Sequence, residues 1–139
     1  MAQINLNGDT SGSIALVAPT VAGTNTITLP ATTGTAALTS DVIGVGQTWT
    51  NVTASRAVGT TYTNSTGKPI QVNICVSSTT ASASAILTIN GTIALQGTPY
   101  PSANSPLYVT AIVPNGATYA ASVSTGTGSL VSNGWFELR

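Results

Sequence analysis

The sequence contains no histidine, and only six of its 139 residues are charged. The charged residues are Asp9, Asp41, Glu137, Arg56, Lys68 and Arg139. General acid–base catalysis, metal binding and phosphate recognition depend on His, Asp, Glu, Cys, Lys or Arg side chains. The sequence therefore predicts no enzyme and no metal or other cofactor. It favours a surface that binds or covers another molecule.

The net charge is zero, which removes the attraction to nucleic-acid phosphates and to anionic lipids. We expect no nucleic acid as a partner. We also expect no membrane insertion, because no run approaches the roughly 18 apolar residues of a membrane helix. Met1–Asn5 lacks the basic start of a signal peptide, which predicts synthesis in a cytoplasm. Zero charge also removes the repulsion between copies, which favours an oligomer or a larger particle.

The few reactive side chains are poorly arranged for chemistry. Two carboxylates lie in the first 43 residues and the third lies near the C-terminus, whereas a glycosidase needs two close together. The chain has 25 Thr and 15 Ser but no histidine to activate a hydroxyl. Lys68 lies in Asn64–Pro69, which is typical of a hairpin turn. Cys75, the only cysteine, lies in an apolar run and is predicted to be a buried small hydrophobe.

Alternation of apolar and polar residues indicates β-strands throughout the second half of the chain. Ile70–Val76 places β-branched residues on one face, and Asn90-Gly91 between two apolar runs is a strong hairpin signal. Further strands are predicted at Leu107–Val113, Thr118–Val123 and near the C-terminus. Short strands separated by turn residues predict an all-β, antiparallel β-sandwich head over residues 44–139. The predicted core is Trp49, Val52, Tyr62, Ile70, Val72, Ile74, Val76, Ile86, Ile89, Leu95, Val109, Ile112, Tyr119, Val123, Leu130 and Trp135.

Residues 1–43 differ from the rest because they contain no aromatic residue. Their strand-like pieces, Ile14–Val17 and Thr26–Leu29, are short. One chain of this kind buries too little apolar area to become ordered alone. The segment therefore forms either a flexible arm or, as we favour, an extended stem that pairs with copies of itself.

Gln96–Pro106 is the longest irregular stretch, and three prolines stiffen it. Tyr100 lies between two of these prolines, and a rigid aromatic side chain in a polar loop suits stacking on sugar rings. Ser102 and Asn104 can hydrogen-bond to hydroxyl groups. These three residues are the candidate receptor-contact loop. The alternative is a loop that packs on its own sandwich or on a neighbouring chain.

The stretch Ile14–Thr35 resembles a segment common in bacteriophage and prophage tail-fibre proteins, where it often precedes a distal domain. Gly46–Trp49, Arg56–Asn64, Gly67–Ile70 and Trp135–Arg139 are similar to the C-terminal domain of such fibres. The resemblance implies a homotrimer with a β-structured stem and a jelly-roll-like β-sandwich head. It also implies attachment to a virion and binding to a host surface glycan or protein.

This chain departs from that family in length. Tail fibres are usually much longer and carry a dedicated virion-attachment domain, whereas the fibre-like segment here starts almost at Met1. We expect a virion surface protein that contacts other tail or capsid proteins, and specifically a short trimeric fibre or spike used in host attachment. The alternative is a capsid decoration or head-fibre protein that stabilises or decorates the phage head.

Overall fold

The computed structural model describes residues 3–21, 23, 24, 26, 31, 33 and 42–139. The chain divides into two compact units, Met1–Thr35 and Ala36–Arg139, and each is described by itself. The fold is all-β, as predicted, and every sheet is antiparallel. The strand predicted at Thr26–Leu29 lies outside the described residues except for Thr26. The predicted boundary between residues 43 and 44 stays a prediction.

The first unit contains a hairpin of β1 (Gln3–Asn7) and β2 (Ser13–Val17). The turn closes where the N–H of Gly8 donates to the carbonyl of Gly12 at 2.9 Å. Gly12 has φ +81°, a conformation that glycine adopts without steric cost. β2 confirms the strand predicted at Ile14–Val17.

Within residues 42–139 of the second unit, the structure describes eight strands in two four-stranded sheets. Sheet I has the order β3-β10-β5-β8, and sheet II has the order β4-β9-β6-β7. The Asn90-Gly91 hairpin between β6 and β7 is confirmed, with φ values of 50° and 76°, as a type I′ turn requires. The strands are β3 (Trp49–Asn51), β4 (Tyr62–Thr63), β5 (Ile70–Ser78), β6 (Ala85–Ile89), β7 (Thr92–Gln96), β8 (Leu107–Val113), β9 (Thr118–Val123) and β10 (Gly128–Leu138).

One hydrophobic core takes side chains from both sheets. Most of the predicted core is confirmed as buried or packed against it. These residues are Val52, Tyr62, Ile70, Val72, Ile74, Val76, Ile89, Val109, Tyr119, Val123, Leu130 and Trp135. Burial of these apolar side chains is the main term that stabilises the head.

Four predicted core residues are wrong. Trp49, Leu95 and Ile112 are exposed, and Ile86 is half-buried outside the core. Trp49 and Leu95 lie on edge strands, β3 and β7. β8 is apolar on both faces, and because its odd-numbered residues face inward, Ile112 faces outward.

The turn at Asn64–Pro69 is not a hairpin turn, because it joins β4 of sheet II to β5 of sheet I. Asn64 is buried, and its Nδ2 donates to the carbonyls of Lys68 (2.8 Å) and Val113 (3.0 Å). These bonds fix the crossing between the sheets. Lys68 Nζ donates to the carbonyl of Val45 at 3.2 Å.

Candidate functional site

Among the described acidic residues, Glu137 has the most hydrogen-bond partners, and it is fully buried. Arg56 donates to both of its carboxylate oxygens, Nε to Oε1 at 2.9 Å and Nη2 to Oε2 at 3.1 Å. The Tyr119 hydroxyl donates to Oε1 at 2.6 Å, and Arg139 Nη1 donates to Oε2 at 2.8 Å. The Arg56 guanidinium also lies 4.4 Å from the ring centroid of Tyr62, within the range of a cation–π contact.

The hydrogen bonds of this cluster keep Glu137 ionised and Tyr119 neutral. Burial opposes ionisation of Glu137, but hydrogen bonds from Arg56, Tyr119 and Arg139 outweigh it and lower its pKa. Burial, followed by the hydrogen bond to Glu137, raises the pKa of Tyr119 to about 12. The carboxylate is therefore charged and fully paired, and no solvent reaches it. This arrangement cross-links β9, β10 and the turn at Thr53–Ser55, and it is structural.

The outer face of sheet I, the side turned away from the core, is open and uncharged. Strand register aligns Ile112 with Gln71, Thr110 with Asn73 and Tyr108 with Cys75. A groove of about 440 Å³ runs across this face. Its lining residues are Asn73, Ile74, Cys75, Leu95, Tyr108, Val109, Thr110, Asn133, Gly134 and Phe136.

A bulge in β10 builds one end of this groove. The register with β5 shifts between Leu130 and Trp135, and Asn133 takes a left-handed φ of 54°. Bulges re-aim side chains and often lie beside functional sites. The Asn51 amide donates to Asn133 Oδ1 at 2.7 Å, which orients the Asn133 amide. Gly134 permits the close backbone approach, because a Cβ there would lie 2.5 Å from the carbonyl of Cys75.

Cys75 forms the floor of the groove and is a buried free thiol, as predicted. Burial raises its pKa, so it is protonated at neutral pH. A side-chain hydrogen bond with Cys75 raises the pKa of Tyr108. The floor is therefore neutral and presents no nucleophile.

A second pocket of about 350 Å³ lies under the proline-rich loop and shares Tyr108 with the groove. Its lining residues are Ala85, Gly97, Thr98, Tyr100, Pro106, Leu107 and Tyr108. Two exposed aromatic rings line it, since Tyr100 is 50% exposed and Tyr108 is 69% exposed. We call this depression the two-tyrosine pocket. It contains no charged residue.

Of the three residues in the candidate receptor-contact loop, only Tyr100 lines this pocket. Tyr100 lines it and is held by an antiparallel bridge to Ala83, with the Tyr100 N–H donating to the Ala83 carbonyl at 3.0 Å. Ser102 and Asn104 are exposed on the same loop but do not line the pocket. The N–H of Asn104 donates to the carbonyl of Ser78 at 2.7 Å. The loop is thus fixed to its own sandwich by its backbone while the Tyr100 ring stays exposed.

Sequence reasoning missed Tyr108 as a site residue. The sequence signal was alternation along β8, which puts Tyr108 on the face opposite Leu107 and Val109. The structure shows that Leu107 and Val109 are on the buried face. The pocket and the groove together offer aromatic faces, amides and hydroxyls without charge. Such a surface can bind neutral molecules by stacking and hydrogen bonding.

Within the described part of the chain, no three His, Cys, Asp or Glu side chains group closely enough to hold a metal ion. The same residues include no helix of the length and apolarity that a membrane crossing requires. Comparisons with known proteins found no matching family model, no similar curated protein and no similar solved structure.

Proposed function

We propose that this chain is a bacteriophage virion surface protein, a short trimeric fibre or spike whose head attaches to the host. The observation that carries the attachment role is the two-tyrosine pocket. It is an uncharged depression on the head, and two exposed tyrosines are among its lining residues. Its role is binding rather than catalysis.

The strand order supports a jelly-roll head. Among the eight strands of the head, sheet I combines the first, eighth, third and sixth, and sheet II combines the second, seventh, fourth and fifth. That order is the one in which a jelly roll folds its two Greek keys. Viral capsid proteins and lectins both use this architecture. Because a fold hosts many functions, the site must carry the functional argument.

The chemistry of the pocket favours a neutral saccharide. A pyranose ring presents apolar C–H groups on one face, which suit the faces of Tyr100 and Tyr108. The Thr98 hydroxyl and the backbone of Gly97 line the same pocket and can exchange hydrogen bonds with sugar hydroxyls. An acidic sugar would find no cation among the lining residues to pair with its carboxylate.

The binding test uses the full chain on a panel of neutral and acidic glycans. Tyr100→Ala and Tyr108→Ala should each weaken neutral-glycan binding about tenfold, because each removes a stacking face. Tyr100→Phe is the matched control, and it should retain binding within about threefold because it keeps the ring. Both tyrosines are at least half exposed, so the melting temperature should not move.

Two results would remove the pocket from the proposal. One is the absence of binding to any neutral glycan by the wild-type chain. The other is binding that survives both alanine substitutions.

The capsid decoration role is a second candidate, favoured by the outer face of sheet I. Trp49 and Ile112 are exposed there, with Phe136 half-buried between their strands. Exposed apolar residues of this kind suit burial against another virion protein. Immunogold labelling of the intact particle with antibody against residues 44–139 separates the two roles. Gold at the tail supports a fibre or spike, and gold over the head supports decoration.

A further inference from the structure

The groove on the outer face of sheet I carries a hydrogen-bond donor that no described residue uses. The N–H of Thr53 donates to Asn51 Oδ1 at 3.0 Å. Because a backbone N–H only donates, this bond fixes which end of the Asn51 amide is the oxygen and which is the NH2 group. That NH2 group donates to Asn133 Oδ1 at 2.7 Å. Asn133 Nδ2 is therefore left as a donor in the lining of the groove.

Thr110 supplies the opposite group from β8, the strand on the other side of β5. Its hydroxyl has one proton, and two protein acceptors lie within reach of it, Asn73 Oδ1 at 2.6 Å and the carbonyl of Val72 at 2.9 Å. Gln71 Nε2 donates to the same hydroxyl at 3.4 Å. One of the two lone pairs of the Thr110 oxygen stays available. The groove therefore offers a donor from β10 and an acceptor from β8.

The rest of the groove lining is neutral and largely apolar. Phe136 lies between the buried residues Trp135 and Glu137, so its ring is on the outer face of the sheet. The protonated thiol of Cys75 forms the floor, and Leu95 lines the groove from β7. No lining residue is charged, so an ionic ligand finds no counter-ion there.

We propose that this groove is a subsite for the acetamido group of an N-acetylated hexosamine. The carbonyl of that group accepts a hydrogen bond from Asn133 Nδ2, and its N–H donates to Thr110 Oγ1. Its methyl group packs on Phe136 and Cys75. A hydrocarbon would desolvate both polar groups without pairing them, which costs free energy. A plain sugar hydroxyl would leave the apolar lining uncovered.

The groove and the two-tyrosine pocket are placed for neighbouring units of one glycan, because Tyr108 lines both. Their volumes, about 440 Å³ and 350 Å³, each fall in the range of small-molecule sites. The inference rests on the proposed saccharide binding by the head. It adds the class of glycan, one in which an N-acetylated unit adjoins the unit stacked on the tyrosines.

The test compares two disaccharides that differ only in the group at the second carbon of each ring. N,N′-diacetylchitobiose carries acetamido groups there, and cellobiose carries hydroxyls. In NMR titrations of the full chain, we expect diacetylchitobiose to bind about tenfold more tightly, because it adds a hydrogen-bonded amide and a buried methyl group. Saturation transfer from the protein should be strongest at the acetyl methyl protons.

Asn133→Asp removes the donor but keeps the oxygen that Asn51 contacts and tolerates the left-handed φ of 54°. It should weaken diacetylchitobiose binding about tenfold and change cellobiose binding less than about twofold. The matched control is Asn115→Asp, which adds the same charge at another exposed Asn-Gly pair, where Oδ1 accepts from the N–H of Gly67 at 3.0 Å. This control should bind both disaccharides as wild type does.

Thr110→Val is a second variant that keeps the test decisive if the bulge at Asn133 misfolds. It retains a β-branched side chain at an exposed strand position and removes the acceptor. It should weaken diacetylchitobiose binding about fivefold and leave cellobiose binding unchanged.

Four outcomes separate this inference from the proposed function. Equal affinity of wild type for the two disaccharides would overturn the acetamido subsite, and loss of both in Tyr100→Ala would leave the two-tyrosine pocket supported. A preference for diacetylchitobiose that survives both Asn133→Asp and Thr110→Val would also overturn the subsite. A preference lost in Asn133→Asp but kept in Tyr100→Ala would support the groove and remove the pocket. Absence of binding to either disaccharide would overturn both.

Discussion

Replacement of Glu137 by glutamine tests the buried ionic cluster most directly. Glutamine keeps the shape of the side chain and one acceptor oxygen but removes the charge. Arg56, which donates twice to the carboxylate, would then face a neutral group. The hydroxyl of Tyr119 would lose its charged acceptor at 2.6 Å.

The expected loss of stability in Glu137→Gln follows from the burial of the ion pair. Removing one partner of a buried ion pair costs about 3–5 kcal/mol, because the other charge stays desolvated without compensation. The remaining acceptor places Glu137→Gln near the lower end, at about 3 kcal/mol. For a domain of this size, each kcal/mol shifts the melting temperature by roughly 4–8 °C. The variant should therefore melt about 12–24 °C below wild type at pH 7.

The pH dependence of the stability provides a second, independent test of the Glu137 cluster. In the folded chain the pKa of Glu137 is lowered relative to its ordinary value of 4.5. Its contribution to stability is therefore fully present above about pH 4.5 and is lost as the pH falls through the folded pKa. The difference in melting temperature between wild type and Glu137→Gln should shrink across that acidic window. From pH 6 to 8 it should stay constant, and the chain has no histidine to titrate there.

Thermal unfolding followed by circular dichroism measures both quantities, with Arg139→Gln as the control. Arg139 contacts the same carboxylate, but its own side chain is 40% exposed, so water can solvate its charge when the contact is lost and Arg139→Gln should cost only about 1 kcal/mol. A cost of less than about 1 kcal/mol for Glu137→Gln at pH 7 would contradict a buried, paired carboxylate. A difference from wild type that is unchanged at acidic pH would contradict it as well.

Two further predictions concern single buried groups and use urea unfolding. Ser84 Oγ is buried with no hydrogen-bond partner among the described residues, so Ser84→Ala should leave stability unchanged or raise it by up to about 1 kcal/mol. Its matched control is Ser78→Ala, which loses a 2.7 Å bond to the carbonyl of Thr125 and should cost about 1–2 kcal/mol; equal effects in the two variants would contradict the assignment. Gly134→Ala should cost at least about 2 kcal/mol, because the new Cβ would lie 2.5 Å from one carbonyl oxygen and 2.7 Å from another, and a free energy of unfolding within about 0.5 kcal/mol of wild type would show that the bulge adapts.

Strand positions in the head could be read from the sequence because alternation is a local property. Ile70–Val76 and the Asn90-Gly91 hairpin needed no knowledge of distant residues. Burial was harder, because it depends on what the opposing sheet covers. Trp49 and Ile112 are as apolar as the core residues, yet one lies on an edge strand and the other on the outer side of β8.

The candidate site was predictable only where its signal is local in the sequence. Tyr100 was identified because the prolines beside it mark a stiff loop. Tyr108 belongs to a strand whose two faces are both apolar, so its outward direction became clear only from the sheet. The contact between Arg56 and Glu137 joins residues 81 positions apart, and no local pattern in the sequence connects them.

The position of β10 in sheet I has a consequence for synthesis. β10 is the last of the described strands, yet it lies between β3 and β5 and pairs with both. Until the ribosome has produced it, β3 has no neighbour in its sheet, and Trp135 and Glu137 are missing from the interior. A chain released before β10 therefore cannot complete its head. The strand order thereby makes completion of the head depend on synthesis of this strand.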